Sequence, residues 1–280
     1  MSHQMSISQI NLYAEYLQQE ERSMGTVEKY LRDLRAFETY LNGRVVTKEL
    51  VSAWKTWLLN SDYAPVTVNS MISAVNGFLQ FVGWEECRVK FLRIQRRIFR
   101  DQSKDLTKEE YQRLLDAAEA KGQKRLALLM ESICATGIRV SEVRHITVDA
   151  AKAGRVDISL KGKIRTILIP NKLSRKLLKY AKQQKIASGE IFLTKSGKSL
   201  SRRQIWGEMK AVCKTAGVDS SKVFPHNLRH LFATTFYRAY KDIVKLADVL
   251  GHSSIETTRI YLLTPGNEHA QQMERLGLIS

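Results

Sequence analysis

The sequence predicts a mainly α-helical protein in two parts, the second of which carries one small antiparallel β-sheet. Three observations predict it. Apolar residues recur at three- and four-residue spacing through most of the chain. Only two short runs, Val156–Leu160 and Arg165–Ile169, read as paired strands. A capping-box signal at Thr107 restarts the helical pattern after a stretch of basic residues. With 280 residues the chain can bury a sizeable core and form one or two domains.

The elements follow in order. An opening helix spans the region of Ile7 to Leu17, and Thr26 is read as the cap of a second with Val27, Tyr30, Leu31, Leu34, Phe37 and Leu41 on one face. Thr47 caps a third that carries Leu50, Val51, Trp54, Trp57 and Leu58. Pro65 stands at the start of a fourth, with Val68, Met71, Ile72, Val75, Phe78, Leu79 and Val82. These four form a bundle over residues 1–100. Between Arg88 and Arg100 come Arg88, Lys90, Arg93, Arg96, Arg97 and Arg100 with no acidic residue. Composition leaves two readings open there: a solvated linker face, or a strap across a phosphate backbone.

The boundary is placed near residue 103, and the second part spans 103–280. Thr107-Lys108-Glu109-Glu110 starts a helix, periodicity continues to Cys134, and Ser141-Glu142 reads as a further start. The two strand-like runs are joined by Lys161-Gly162-Lys163-Ile164, which makes a hairpin with lysines near its tip. Helical signals return at Leu173–Gln184, Ser201–Thr215, Asn227–Tyr240 and Ile243–Leu250, with a short strand expected at Ile191–Leu193. No internal repeat is present.

Charge is the unusual quantity: 45 basic residues against 28 acidic, a net of +17. The first hundred residues hold 13 basic and 10 acidic, the remainder 32 and 18. Such an excess attracts nucleic acid, an anionic surface or an acidic protein. The basic residues are spread through a folded region rather than along one amphipathic helix, which disfavours a membrane surface. Cys87, Cys134 and Cys213 lie far apart, without the spacing of a zinc site, and are expected to be reduced. No signal-peptide pattern or run of about 20 apolar residues occurs, so a cytoplasmic protein is expected.

Pro225-His226-Asn227-Leu228-Arg229-His230, then Leu250-Gly251-His252, then Tyr261, form the most informative stretch. On a helix His226, Arg229 and His230 share a face, so imidazoles and a guanidinium converge on one anion, and phosphate is the natural candidate. As an isolated cluster the same residues also fit a surface patch or a packing set. HExxH, GxGxxG and GxxxxGK[ST] are absent, which leaves metalloprotease, dinucleotide and P-loop readings without support.

Five separated elements together match a known pattern: Thr136-Gly137-Ile138-Arg139-Val140-Ser141-Glu142, Lys161-Gly162-Lys163, His226-Asn227-Leu228-Arg229-His230, Leu250-Gly251-His252-Ser253, and Tyr261. In their order and spacing the chain resembles the tyrosine recombinases of the phage-integrase and Xer-like superfamily. The resemblance covers about residues 105 to 265, and the N-terminal bundle is similar to that family's core-binding, SAM-like domain. It implies that Arg139 and Arg229 clamp the scissile phosphate, with His226 and His252 at the accompanying histidine positions. Lys161 would protonate the leaving 5′ oxygen, with Lys163 as the competing assignment, and Tyr261 would be the nucleophile. Glu142 matches the acidic position that supports the first arginine, and His230, following the second, would pack against or brace it. The basic stretch from Arg88 to Arg100 would follow the DNA backbone.

The chemistry has its own logic. Attack on a phosphodiester gathers negative charge on the equatorial oxygens, where paired arginines stabilise it. A tyrosine hydroxyl with an ordinary pKa near 10 must lose its proton, and the leaving alkoxide must gain one. The phosphotyrosyl bond retains the energy of the broken link, so neither a metal nor another cofactor is called for. The resemblance implies a 3′-phosphotyrosyl intermediate and strand exchange between specific paired core sites on double-stranded DNA. It also implies a homo-tetramer on that DNA, weakly associated away from it, in a bacterial, nucleoid-associated setting, with accessory proteins left open. The core-binding helices begin almost at once, so a simple core-site recombinase is expected. The alternatives are a type IB topoisomerase-like relaxer and a DNA-binding member that has lost cleavage. The tail from Asn267 to Ile279 is partly amphipathic and is read as docking either on a neighbouring protomer or on its own domain.

Overall fold

The structure is a computed structural model that describes residues 3–94, 102–160, 163–261 and 274–275, with the backbone alone at 102, 159–160 and 163–164. The chain divides into two compact units, Met1–Arg96 and Arg97–Ser280. Lys161, Arg96, Arg97, Arg100 and all of the tail beyond Tyr261 except Glu274 and Arg275 lie outside the described residues.

The first unit is a four-helix bundle: α1 (Ile7–Gln19), α2 (Met24–Leu41), α3 (Lys48–Asn60) and α4 (Pro65–Phe81). Ser6 and Gln9 form a capping box at α1, and Thr47 caps α3 by accepting from the Leu50 amide. The cap of α2 is Ser23 rather than Thr26: the Ser23 hydroxyl accepts from the Thr26 amide, so the helix starts a turn-fraction earlier than its apolar stripe. The core closes on Phe37 and Trp54, ring centroids 4.8 Å apart, with Leu34, Ile72, Phe78 and Leu79 around them. Each such side chain removed from water contributes about 1.5–3 kcal/mol.

After a short 3₁₀ turn at Glu85–Cys87 the chain runs extended along α4. Two asparagines hold it there in place of a partner strand. Asn76 donates to the Val89 carbonyl at 2.9 Å and accepts from its amide at 3.1 Å. Asn69, two turns earlier, does the same for Leu92 at 2.9 and 2.7 Å. Arg88, Lys90 and Arg93 are thereby left exposed on a segment of fixed conformation.

The second unit is built around α6 (Lys124–Thr136), which buries residues on nearly every face, Leu126 to Met130 among them. It is flanked by α5 (Lys108–Ala120), whose Thr107–Glu110 capping box is intact with bonds of 2.9 and 3.1 Å. Ser141-Glu142 starts no α-helix. Only a 3₁₀ turn, Val143–His145, follows, and α7 (Val148–Ala153) begins later at the Thr147 cap, because the Glu142 carboxylate is committed to arginines instead.

Strands β1 (Arg155–Leu160) and β2 (Lys163–Leu168) pair antiparallel from Arg155↔Leu168 to Leu160↔Lys163. The ladder therefore reaches two residues further toward the turn than the sequence suggested. Val156, Ile158 and Ile167 face the core, as the two-residue period requires. The expected strand at Ile191–Leu193 is reduced to isolated bridges, Thr147↔Glu190 and Leu193↔Ser199, since no neighbouring strand continues either pairing. The remaining helices are α8 (Asn171–Gln183), α9 (Arg202–Ala216), α10 (Pro225–Tyr240), α11 (Ile243–Leu250) and α12 (Ile255–Thr258). A final 3₁₀ turn, Arg259–Tyr261, places Tyr261 in a small apolar cluster with Ala233, Leu246 and Leu250. The three cysteines are free, with Cys87 and Cys213 buried.

Candidate active site

Three helix ends build the site. Helix α6 terminates at Gly137, whose φ of +65° is accessible to glycine at little cost. Space also demands glycine here, because a Cβ would lie 2.6 Å from the Phe232 ring and 3.0 Å from a Leu250 methyl carbon. Buried Ile138 anchors the next residue, and Arg139 then projects toward a cleft. The Glu142 carboxylate fixes Arg139 twice, accepting from its amide at 2.9 Å and from Nη1 at 3.0 Å.

The start of α10 supplies His226, Arg229 and His230. His226 is exposed, whereas Arg229 is 2% exposed and His230 is equally deep. Arg229 donates to the carbonyls of Gly137 and, at 2.8 Å, Leu250. Its other polar neighbour is the His252 Nε2 at 3.0 Å. Burial, then the charges of Arg139 and Arg165, lower the Arg229 guanidinium to about 10, while Tyr261 pulls it back up through a shared hydrogen bond. It stays cationic at neutral pH.

The third end is that of α11, where Gly251 (φ +60°) turns the chain and His252 follows. A guanidinium only donates, so His252 Nε2 is the acceptor and Nδ1 carries the proton toward Thr258 Oγ1, 2.9 Å away. Burial, followed by the Arg229, Arg139, Arg165 and His226 charges, lowers this imidazole to about 4, so it is neutral. Tyr261 is 5% exposed, with its ring 5.0 Å from that of His230 and stacked at 6.2 Å on that of His252.

Arg139, Glu142, Arg229, His230, His252 and Tyr261 are thus brought together, and His226 lies near enough to act on His252. Lys163 begins β2, and its backbone alone is described. Arg88, Lys90 and Arg93 belong to the other unit.

The residue that sequence reading missed is Arg165. From β2 its Nη1 reaches both Glu142 oxygens, at 3.0 and 2.9 Å, and its Nη2 approaches the Val249 carbonyl at 3.5 Å. A Cβ on Gly251 would stand 2.4 Å from the Arg165 Cδ, so the glycine also makes room for this side chain. The combination of an arginine among apolar strand residues with Gly251 downstream was the only signal. Burial of Glu142 would by itself raise its carboxyl, but the Arg139 amide bond and the Arg165 charge outweigh that and hold it below its ordinary value. A cleft of about 660 Å³ opens over Arg139, Glu142, Arg165, Gly251, His252 and Thr257. With the Arg139 and Arg165 guanidiniums around one bonded carboxylate, it suits an anionic group such as a phosphate.

One set of metal-type donors occurs among the described residues, His3, Glu86 and Cys87, within 4.8 Å of one another in the first unit. They are already engaged: His3 bonds Glu86 at 2.5 Å, and the Cys87 thiol faces the Val46 carbonyl at 3.7 Å. No helix among the described residues is long and apolar enough to cross a membrane.

The phage integrase family model matches residues 104–265, a range that contains every one of these candidate residues. The chain belongs to the phage integrase family. The N-terminal SAM-like domain model of phage integrases matches residues 10–86 of this tyrosine recombinase. In sequence the recombinase is 28% identical over 274 residues to tyrosine recombinase XerA of Pyrococcus furiosus, covering 95% of this chain and 93% of that protein. It is 29% identical to tyrosine recombinase XerC of Roseiflexus castenholzii, over 90% and 88% of the two chains. In fold it is similar to the XerH site-specific recombinase bound to difH substrate, with a TM-score of 0.68 and 20% identity over 95% of this chain and 84% of that one. A lambda integrase tetramer bound to a Holliday junction gives a TM-score of 0.73 at 18% identity, over 93% and 77%. The mainly helical architecture with a small antiparallel sheet, expected from the sequence, is the family's fold.

Proposed function

We propose that this recombinase cleaves and rejoins double-stranded DNA at specific sites through a covalent 3′-phosphotyrosyl link to Tyr261. The single observation that carries the reading is that Arg139 and His252 line one cleft while Arg229 bonds His252 and Tyr261 stacks on it from beneath. Arg139 and Arg229 hold the scissile phosphate and stabilise the charge that grows on its oxygens during attack. Arg229 lies within hydrogen-bonding reach of Tyr261, so the cation assigned to the phosphate also fixes the position of the nucleophile. Neutral His252 accepts from Arg229 through Nε2 and so orients that guanidinium, and His226 flanks it at the exposed rim. Lys161, with Lys163 at the start of β2 as the competing assignment, protonates the departing 5′ oxygen.

The first unit is assigned to core binding, with the exposed Arg88, Lys90 and Arg93 laid along phosphates by the asparagine-held strap; Arg96, Arg97 and Arg100 are assigned to the same backbone on their charge alone. Strand exchange takes place in a tetramer on paired sites, as the lambda integrase assembly on a Holliday junction suggests. Weak association off DNA and a cytoplasmic, nucleoid-associated setting complete the proposal.

The test is covalent capture. Nicked duplexes with randomised half-sites are incubated with wild-type protein and Tyr261→Phe in EDTA, and adducts are resolved on a denaturing gel. A band with wild type alone is the expected result. Binding without any adduct from wild type would overturn the reading.

A further inference from the structure

Glu142 stands between two arginines, and one carboxylate neutralises one guanidinium. The geometry awards it to Arg165. Both Glu142 oxygens accept from Arg165 Nη1, at 3.0 and 2.9 Å, whereas only Oε1 is bonded to the Arg139 side chain. The Arg165 side chain is 11% exposed beside a Glu142 side chain at 6%, while Arg139 leaves 40% of its side chain open to the cleft. Coulombic attraction is strongest for the drier pair. Asp248 also lines the cleft, but it is exposed and bonds none of the three arginines among the described residues.

Arg165 is moreover held at a cost. Its Nε is buried with no hydrogen-bond partner among the described residues. A buried orphan donor on a charged group is unfavourable and persists only where the rest of the side chain has a purpose. Packing alone does not require an arginine there, since an apolar side chain would fill the space beneath Gly251 without the orphan.

From this juxtaposition we propose that Arg165 is a positioning residue for DNA cleavage: by holding Glu142 it keeps the charge of Arg139 available to the scissile phosphate. The inference rests on the phosphodiester-cleaving reading above. Without Arg165, Glu142 closes on Arg139 as a neutral pair. An incoming phosphate must then compete with a carboxylate already in place, and the clamp loses one unit of positive charge where the transition state needs it.

The test is a double-mutant cycle on a nicked duplex recovered by covalent capture with the wild-type protein. Arg165→Gln is expected to slow adduct formation by about 10- to 100-fold, the range for losing one charge-assisted contact. Non-covalent affinity should stay within about threefold, because remote phosphate contacts are unchanged. Adding Glu142→Gln removes the carboxylate that captured Arg139, so the double variant should cleave at least about tenfold faster than Arg165→Gln alone. A mere latch between strand and loop, or an Arg165 that itself grips phosphate, would give a double variant as slow as the single one. That result overturns the proposal, as does wild-type cleavage by Arg165→Gln. Thermal midpoints establish folding of each variant. If Arg165→Gln does not fold, Arg165→Lys replaces it, with a smaller loss that must again be relieved by Glu142→Gln. Failure of wild-type protein to form any adduct would instead strike the functional reading itself.

Discussion

Replacing Gly137 with alanine tests how the site is built. The residue ends α6 at φ +65°, and an alanine there carries about 1–2 kcal/mol of left-handed strain. Its Cβ would sit 2.6 and 2.8 Å from two Phe232 ring carbons and 3.0 Å from a Leu250 methyl carbon, contacts that force a well-packed region apart. Overpacking of that kind costs about 1–3 kcal/mol. The sum is about 2–5 kcal/mol, borne by the second unit. Gly217, at φ +61° with open space for 4 Å around the position a methyl group would take, is the internal control, since Gly217→Ala meets the backbone strain without the clash. Hydrogen exchange at the core amides of α6 reports the stability of this unit separately from the bundle. Gly137→Ala should lower it by about 1–3 kcal/mol more than Gly217→Ala. Because the Gly137 carbonyl accepts from Arg229, the same variant should also lose cleavage more than DNA affinity. Equal destabilisation by the two alanines would refute the argument from steric demand.

Two further outcomes are expected. His252 is lowered to about 4 from 6.5, so the fold stabilises its neutral form: that contribution is present above about pH 6.5 and is lost as pH falls through about 4. The full shift corresponds to about 3 kcal/mol, and solvent screening of this partly exposed ring reduces it to about 1–2 kcal/mol. Urea midpoints at about pH 7.5 and 4.5 should therefore separate less for His252→Gln than for wild type, and equal separation would contradict the assignment. Asn76→Leu keeps the volume but strips both partners from Val89, at about 1–3 kcal/mol for each orphaned group. Loss of exchange protection at the Val89 amide, with α4 itself still protected, is the expected signature.

Much of this was legible in the sequence because it is local. The stripes of Leu34, Phe37 and Leu41, the Thr107–Glu110 box and the alternation in the hairpin each depend on residues a few positions apart. Where two local signals compete, the reading slipped: Thr26 and Ser23 are both good caps, and their hydroxyls bond each other at 2.7 Å, so only geometry decides which one ends the helix. Ser141-Glu142 looked like a helix start because an acidic first turn favours one, yet Glu142 answers to Arg165, 23 residues away. Long-range partnerships of this sort carry no periodic signature. The same holds for Asn69 and Asn76, which read as ordinary polar positions until the strap they hold is seen.

The arginine cluster poses a final physical question, since three like charges converge with one bonded carboxylate to offset them. Helix ends supply the rest. The last carbonyls of a helix lack intrahelical donors and carry the negative end of its dipole. At α11 each of three successive carbonyls receives a different arginine: Val249 from Arg165 at 3.5 Å, Leu250 from Arg229 at 2.8 Å and Gly251 from Arg139 at 3.4 Å. The end of α6 adds the Gly137 carbonyl to Arg229. The guanidiniums thus cap two helices while the helices hold the guanidiniums, and no further carboxylate is needed that would compete with a phosphate. A carbonyl orients a cation without cancelling its charge. That distinction explains why the two glycine turns, rather than additional acids, frame the site, and why the one acid present must be kept occupied by Arg165.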